Sequence, residues 1–258
     1  MRGASGKKAD MLDFVEIDVS ANGFDMKARY FKEDADEIFL PLIKTLFELK
    51  QTKSDKLIVF LAAPPGAGKT TLSLFLSHLG RQAGGETIQS VGMDGFHYPQ
   101  KYLDSHFINK NGKNVLLRDI KGSPESFDLC ELTDAIKRMQ TRDILWPAYD
   151  RNLHDVVPDA VQAKSGIVLI EGNWLLLDED GWRGLQPLCG YSIFISAEEP
   201  MLKNRLIQRK IRGGTSPQEA NLYYERSDGP NVWRALNNRL PSDCLLHLSE
   251  SGKYSVKK

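Results

Sequence analysis

The stretch Ala63 to Thr71, APPGAGKTT, contains the residue types that bind a nucleotide triphosphate. It follows the phosphate-loop pattern G-x-x-x-x-G-K-[ST], except that Ala63 stands at the first glycine position. In such a loop, glycines let backbone N–H groups approach phosphate oxygens, the lysine neutralises the terminal phosphates and the hydroxyl binds Mg²⁺. Alanine is the mildest replacement for glycine at a strand exit, so the loop is predicted to bind ATP. The predicted nucleotide contacts are Pro65, Gly66, Ala67, Gly68, Lys69, Thr70 and Thr71, with Thr70 also a magnesium ligand.

Two carboxylates follow predicted strands at positions where catalytic groups of parallel α/β sheets emerge. Asp94 lies after the second strand of the alternating pattern, and Glu171 ends the apolar strand GIVLIEG. Asp94 is predicted to orient and deprotonate an acceptor hydroxyl, with a turn-capping aspartate as the alternative. Glu171 is predicted to help hold Mg²⁺, with a solvated strand-end carboxylate as the alternative.

Three arginines, Arg205, Arg209 and Arg212, recur at a spacing that places them on one helix face. Planar guanidinium groups suit phosphate oxygens, so these residues are predicted to form a basic lid over the transferring phosphoryl group. Arg205 and Arg209 would act in catalysis and Arg212 in nucleotide binding. The alternative is a solvated basic face on a surface helix.

The elements that must position these residues alternate between strand and helix, which predicts a parallel sheet with helices on both faces. The predicted strands are 57–61, 87–91, 166–172, 191–196 and 244–248. The predicted helices run to about 82, from 128 to 139, from 198 to 212 and from 216 to 226, with Asp128 and Glu131 at capping-box spacing.

The first part of the chain has a different pattern. Apolar alternation on both sides of Asn22-Gly23 predicts a β-hairpin, and an apolar stripe over 34–50 predicts a helix that Pro41 kinks or delays. We therefore divide the chain into a flexible tail (1–10), a hairpin and helix extension (11–55) and a nucleotide-binding domain (56–250). Residues 100–122 are polar and weakly periodic, and they are predicted to be a mobile insertion.

Composition narrows the class of protein. The 258 residues include 34 basic and 34 acidic side chains, and this balance argues against a nucleic-acid partner. The three cysteines have no metal-site or disulfide spacing, and the longest apolar run, at 57–63, is too short to span a membrane. A cytoplasmic protein without a membrane partner is therefore expected.

Five motifs together resemble one superfamily: APPGAGKTT, MDGFHYP, KGSPESFD, PAYDRNLHDVVPD and IEGNWLL. Their order and spacing over about residues 56–250 resemble the uridine kinase, phosphoribulokinase and bacterial pantothenate kinase superfamily. The resemblance implies a three-layer P-loop fold with a helical lid, in which Asp94 is the catalytic carboxylate. It also implies that Tyr149 and His154 line the acceptor site, and that Asn231 corresponds to a pantothenate-contacting asparagine. Arg151 stands where pantothenate kinases carry a histidine, which argues against that acceptor.

The resulting hypothesis is a small-molecule kinase that uses ATP and Mg²⁺ to phosphorylate a hydroxyl of a sugar or polyol, a nucleoside such as uridine, or pantothenate. His97 and Tyr98 follow Asp94 closely and are predicted to line the acceptor pocket, although Tyr98 fits a packed loop equally well. Asp150 and Arg151 offer polar groups without a base-stacking pair, which favours a sugar or polyol. The alternative functions are a nucleotide-dependent switch that hydrolyses ATP without an acceptor, and a sensor without turnover. The N-terminal hairpin offers a surface for a homodimer.

Overall fold

The computed structural model describes residues 13–21, 24–110 and 112–257. The predicted tail (1–10) and the turn at Asn22-Gly23 lie outside these residues. The strands are β1 (Phe14–Ala21), β2 (Phe24–Phe31), β3 (Leu57–Ala62), β4 (Ile88–Gly92), β5 (Phe107–Lys110), β6 (Lys113–Leu116), β7 (Ile144–Asp150), β8 (Asp155–Ala163), β9 (Ile167–Gly172), β10 (Tyr191–Ala197), β11 (Cys244–Leu248) and β12 (Tyr254–Lys257).

The α-helices are α1 (Lys32–Asp34), α2 (Leu40–Gln51), α3 (Lys69–Gln82), α4 (Gln100–Leu103), α5 (Leu129–Thr141), α6 (Glu199–Arg212), α7 (Pro217–Tyr223) and α8 (Gly229–Asn237). Two π-helical segments, Ala35–Phe39 and Tyr224–Asp228, join α1 to α2 and α7 to α8. Short 3₁₀ turns cover Met93–Phe96, Leu117–Ile120, Pro124–Ser126 and Trp182–Leu188. No helix in these described ranges is long and apolar enough to cross a bilayer.

Six strands form the central sheet in the order β12-β11-β10-β3-β9-β4. The strands from β11 to β4 are parallel to one another, and β12 pairs antiparallel at the edge. Every residue of β3 and β9 is buried, as expected for strands covered on both faces. The predicted parallel sheet is confirmed, and it brings the carboxyl ends of β3, β4 and β9 to one edge.

Successive side chains of β3 enter two separate cores, which gives the fold its three layers. Val59 packs in the core that α2, α3 and the N-terminal hairpin cover. Phe60 packs in the opposite core, which α5 and the turn at Trp182–Leu188 cover. The predicted three-layer α/β fold is confirmed.

The N-terminal hairpin and helix pack directly against the phosphate-loop helix. Tyr30 of β2 is buried and stacks on Phe75 of α3, with ring centroids 4.2 Å apart. The predicted helix begins at Lys32, and its π segment ends at Phe39, two residues before Pro41, which has no N–H to donate to the preceding turn. The hairpin therefore shares a core with the nucleotide-binding segment. The division of the chain into an extension (11–55) and a nucleotide-binding domain (56–250) remains a prediction.

Several elements were not predicted from the sequence. Residues 100–122 contain α4 and the antiparallel β5–β6 hairpin, although their periodicity is weak. The β7–β8 hairpin was also not predicted, because Pro147 and Pro158 interrupt the alternation of apolar and polar residues. A register shift lies between Trp146 and Ala148. Helix α8 and the edge strand β12 were not predicted either. Asp128 caps α5 as predicted, since its Oδ1 accepts from the Glu131 N–H at 3.0 Å.

Candidate active site

The phosphate loop lies between β3 and α3, as the sequence predicted. Gly66 and Gly68 have φ values of +85° and +82°, a conformation that glycine adopts without strain. Ala63 is fully buried at the exit of β3, so the fold accommodates a methyl group where the pattern has glycine. The first N–H groups of α3 have no acceptor within the helix, which makes this end of the helix suitable for a phosphate.

The two predicted carboxylates meet the loop at the carboxyl edge of the sheet. Glu171 on β9 pairs in register with Gly92, the last residue of β4, and Asp94 follows in the turn at Met93–Phe96. The Thr70 hydroxyl donates to Glu171 Oε1 at 2.8 Å, and Lys69 Nζ lies 3.8 Å from Glu171 Oε2. These contacts join residues from three separate parts of the sequence into one site.

The charges around Asp94 favour its ionised form. Burial by itself would raise the pKa of Asp94, but His97, Lys69, Arg151 and Arg209 more than offset this effect, and the pKa lies below its usual value. The opposite holds for Glu171, because burial and the nearby Asp94 charge raise its pKa despite Lys69. The two carboxyl groups therefore differ in proton affinity, and Asp94 is suited to act as a base at neutral pH.

The donor set fits a magnesium ion held together with nucleotide phosphates. Mg²⁺ in kinase sites binds through one or two carboxylates or hydroxyls, with phosphates and water supplying the remaining ligands. Thr70 and Glu171 bring a hydroxyl and a carboxylate oxygen to one small cavity. Within the described residues there is no cluster of three or more acidic, His or Cys ligands.

The arginine face of α6 borders a cleft of about 480 Å³ that also contains the phosphate loop. Arg205, Arg209 and Arg212 all line this cleft, together with Gly66 and Lys69. Leu206 packs close to the loop, and a Cβ atom built on Gly66 would lie 3.1 Å from Leu206 Cγ. The helix is therefore held against the loop by apolar contacts, while its guanidinium groups face the cleft. That it closes as a lid stays a prediction.

The acceptor side of the cleft contains four of the predicted substrate residues: His97, Tyr149, Arg151 and Asn231. The His97 ring lies between Phe127 and Tyr149, at centroid distances of 3.8 and 5.5 Å. His97 Nδ1 lies 2.8 Å from the Asp94 carbonyl oxygen, which fixes the ring beside the proposed base. Burial lowers the pKa of His97, although the nearby Asp94 charge acts in the opposite direction.

The other three predicted substrate residues lie outside the main cleft. Tyr98 stacks on Tyr102 at 4.4 Å, as the packed-loop alternative anticipated. Asp150 borders an adjoining cavity of about 380 Å³, and its Oδ1 accepts from the Asn152 and Leu153 N–H groups. The His154 side chain is exposed, and its carbonyl accepts a hydrogen bond from Lys121. Their roles in substrate binding remain predictions.

Sequence reasoning did not identify several residues that line the cleft. Lys121, Asn173 and Asp228 supply polar groups to the lining, and Met26 of the N-terminal hairpin also borders the cleft. Asn173 directly follows Gly172, the last residue of β9, so strand-end position alone would have indicated it. Lys121 and Asp228 carry no comparable signal, because they lie in a loop and a π segment whose positions depend on tertiary packing.

A phosphate loop, a carboxylate beyond it and a cationic helix over the same cleft define a P-loop kinase of small molecules. Comparison with known proteins agrees: the model of the "Phosphoribulokinase / Uridine kinase family" matches residues 58–218. The chain belongs to this family. The resemblance inferred from the motifs is thereby confirmed, as is the assignment to phosphotransferases that act on hydroxyl groups of small molecules.

Of three similar proteins, two carry the name of a kinase. The "Uncharacterized protein YggC" of Escherichia coli (strain K12) is 40% identical over 242 residues, which is 93% of this chain and 98% of that protein. A "Putative uridine kinase C227.14" of Schizosaccharomyces pombe is 28% identical over 199 residues, covering 74% and 83% of the two chains. The crystal structure of a "putative fructose transport system kinase" from Silicibacter sp. TM1040 has a TM-score of 0.72 at 28% identity, covering 80% of this chain and 97% of that one.

Proposed function

We propose that this protein transfers the γ-phosphoryl group of ATP to a hydroxyl of a small polyhydroxylated metabolite, a sugar or polyol derivative. The observation that carries the proposal is the position of Asp94, which borders both the cleft of the phosphate loop and the adjoining 380 Å³ cavity. An acceptor there would have its hydroxyl between an ionised carboxylate and the phosphate loop. Proximity of this kind supplies much of the rate enhancement of a kinase.

Each residue then has a role that its surroundings support. Asp94 orients the acceptor hydroxyl and takes its proton. Lys69 and Arg209 neutralise charge on the transferring group, and the Thr70 hydroxyl with the Glu171 carboxylate would hold Mg²⁺. When bound, Mg²⁺ would offset part of the negative charge of the phosphate groups. His97 and Tyr149 form a wall of the acceptor pocket, and their partial polarity suits a molecule with several hydroxyls.

The composition of the pocket favours a polyol over a nucleoside. The ring of His97, which lies beside Asp94, is already engaged, since it packs against Phe127 and Tyr149. A planar base would need a free aromatic face for stacking. The groups that border the remaining space include Arg151, Asn173 and Asn231, which offer hydrogen bonds to hydroxyls.

The test is ADP release from MgATP in the presence of a panel of sugars, polyols and sugar acids, with uridine and pantothenate included. We expect stimulation by a member of the polyhydroxylated class, with the phosphorylated product identified by mass spectrometry. Stimulation by uridine or pantothenate alone would overturn the acceptor class but keep the kinase. Hydrolysis that every acceptor leaves unchanged would favour a nucleotide-dependent switch.

A further inference from the structure

The cleft as a whole has an excess of positive charge that ATP does not explain. Seven lysine or arginine side chains line the cleft, against the carboxylates of Asp94 and Asp228 and that of Glu171, which lies 3.8 Å from Lys69. Lys69 and the arginines of α6 adjoin the phosphate loop, where the triphosphate would bind. Mg²⁺ offsets part of the triphosphate charge, so MgATP would leave part of the cationic excess uncompensated.

Lys121 and Arg151 lie on the acceptor side, apart from the helix that carries the arginine face. Lys121 follows the turn at Leu117–Ile120, and Arg151 directly follows β7. Both of these cations line the same cleft as Asp94 and His97. Burial lowers the pKa of His97 and the Asp94 charge raises it, and the two cations lower it further, in agreement with their position near the proposed base. In the described ranges, neither has a carboxylate within ion-pair distance.

Lys121 is held in place by neutral groups alone. Its ammonium group donates to Gln100 Oε1 at 2.7 Å and to the His154 carbonyl at 3.0 Å, and it lies 4.8 Å from the centre of the Tyr149 ring. These contacts orient the side chain without neutralising its charge. An ammonium group has three N–H bonds, so one remains for a ligand.

Lys56 shows what a structural lysine looks like in the same protein. Its ammonium also donates to two carbonyl oxygens, those of Arg142 and Ala163, but the Asp143 carboxylate lies 2.6 Å away and neutralises it. A fixed, partly buried cation without such a partner is costly unless a ligand supplies the negative charge. The comparison favours a binding role for Lys121.

Two buried acceptor atoms line the same cleft. Asn173 Oδ1 and Asp228 Oδ2 are shielded from solvent and have no hydrogen-bond partner among the described residues. Buried polar atoms are nearly always paired, so an unpaired acceptor in a cleft indicates a ligand that donates. Hydroxyl groups donate hydrogen bonds, whereas carboxylates and phosphates do not.

We propose that the acceptor is a small polyhydroxylated anion, whose carboxylate or phosphate ester is bound by Lys121 and Arg151 and whose hydroxyls donate to Asn173 and Asp228. This inference rests on the proposed kinase function and specifies its substrate class. Asp94 then takes the proton of the hydroxyl that attacks the γ-phosphorus. The bond from that phosphorus to the bridging oxygen breaks, and ADP leaves with the electron pair.

The experiment compares matched acceptors that differ in charge: glycerate with glycerol, gluconate with glucose, and ribose 5-phosphate with ribose. Turnover is measured with MgATP, and binding is measured separately by calorimetry in the presence of MgADP. We expect kcat/KM for a preferred anion to exceed that of its neutral partner by about 100-fold, since a charge-assisted contact discriminates by this order. Comparing glycerate and gluconate with ribose 5-phosphate shows whether the site prefers a carboxylate or a phosphate ester.

Lys121→Gln tests the assigned residue, and Lys101→Gln is the matched control, because Lys101 is an exposed lysine on the nearby α4. We expect Lys121→Gln to raise KM for the anion by about 10- to 100-fold and to leave KM for ATP within about 2-fold. Preference for the neutral partner, or equal losses for both partners, would overturn the inference.

Binding separates this inference from the proposed function. If no acceptor stimulates turnover but calorimetry detects anion binding that Lys121→Gln abolishes, the kinase function fails and the anion site stands. If neither an anionic carboxylate nor the phosphate ester binds, the inference is wrong whatever turnover shows.

Discussion

Replacing Asp94 by asparagine tests the chemical core of the proposed function. The substitution keeps the size of the side chain and removes its charge and its basicity. General bases contribute about 10²- to 10⁴-fold, so we expect kcat to fall by about 10³-fold, which corresponds to about 4 kcal/mol of barrier.

The surroundings of Asp94 also predict what should not change. Burial raises the pKa of Asp94, whereas the neighbouring His97, Lys69, Arg151 and Arg209 lower it. The Asp94→Asn variant therefore loses a negative charge beside the expected triphosphate site. Removing repulsion cannot weaken ATP binding. KM and calorimetric Kd for MgATP should stay the same or fall by about 2- to 5-fold.

The pH dependence follows from the direction of the pKa shift. Because the pKa of Asp94 lies below its ordinary value of 3.8, the carboxylate stays ionised throughout the working range. The wild-type kcat should therefore show no acidic limb from this residue between about pH 5 and 8. A titration with a midpoint in that range, lost in Asp94→Asn, would contradict the assigned charge state.

The assay is coupled ADP release with the acceptor found in the panel, and thermal unfolding confirms that each variant is folded. Asp134→Asn on the exposed side of α5 is the control for loss of an aspartate as such. Turnover of Asp94→Asn within about 5-fold of the wild type would refute the reasoning, because no general base contributes so little.

Three further predictions concern the loop, the arginine face and the buried glutamate. Gly66→Ala should weaken ATP binding and destabilise the fold by about 1–3 kcal/mol, because φ is +85° and the new Cβ would lie 3.1 Å from Leu206 Cγ; calorimetry and denaturant unfolding measure both effects. Gly214→Ala is the control, because Gly214 has φ +93° and a Cβ atom there would have nothing within 4 Å. It should lose only the stability that the strained backbone conformation accounts for. Arg209→Met should reduce kcat by about 10³-fold, with partial recovery in Arg209→Lys, as measured by the coupled assay. Glu171→Gln should raise Tm at neutral pH, because burial and Asp94 raise the folded-state pKa of Glu171 and so penalise its ionised form. This gain should shrink as pH falls towards the ordinary value of 4.5, below which both states are protonated.

Each of these has an outcome that would contradict it. Equal losses for Gly66→Ala and Gly214→Ala would show that the Leu206 contact is irrelevant. Full turnover in Arg209→Met would indicate that the arginine face is a solvated surface without a role in catalysis. A Tm difference for Glu171→Gln that is independent of pH would mean that lost contacts, rather than protonation, determine its stability.

The sequence alone predicted the central part of the fold. The apolar runs at β3 and β9 required burial on both faces, and the glycines and lysine after β3 predicted a phosphate loop. Strand-end position predicted Asp94 and Glu171, because the carboxyl ends of parallel strands converge on one edge whatever the intervening loops do. The helical spacing of Arg205 and Arg209 was sufficient to place both on the face that lines the cleft.

Only the tertiary structure decided the acceptor side. Tyr98, Asp150 and His154 occur within recognisable motifs, yet they lie outside the main cleft, because the β7–β8 hairpin and the turns around it fix where each side chain goes. Lys121 and Asp228 are unremarkable in the sequence and line the cleft through long-range packing. Local pattern determines strands and helices, since hydrogen bonds and apolar periodicity act over a few residues. A binding pocket instead depends on contacts between distant segments, which no local pattern records.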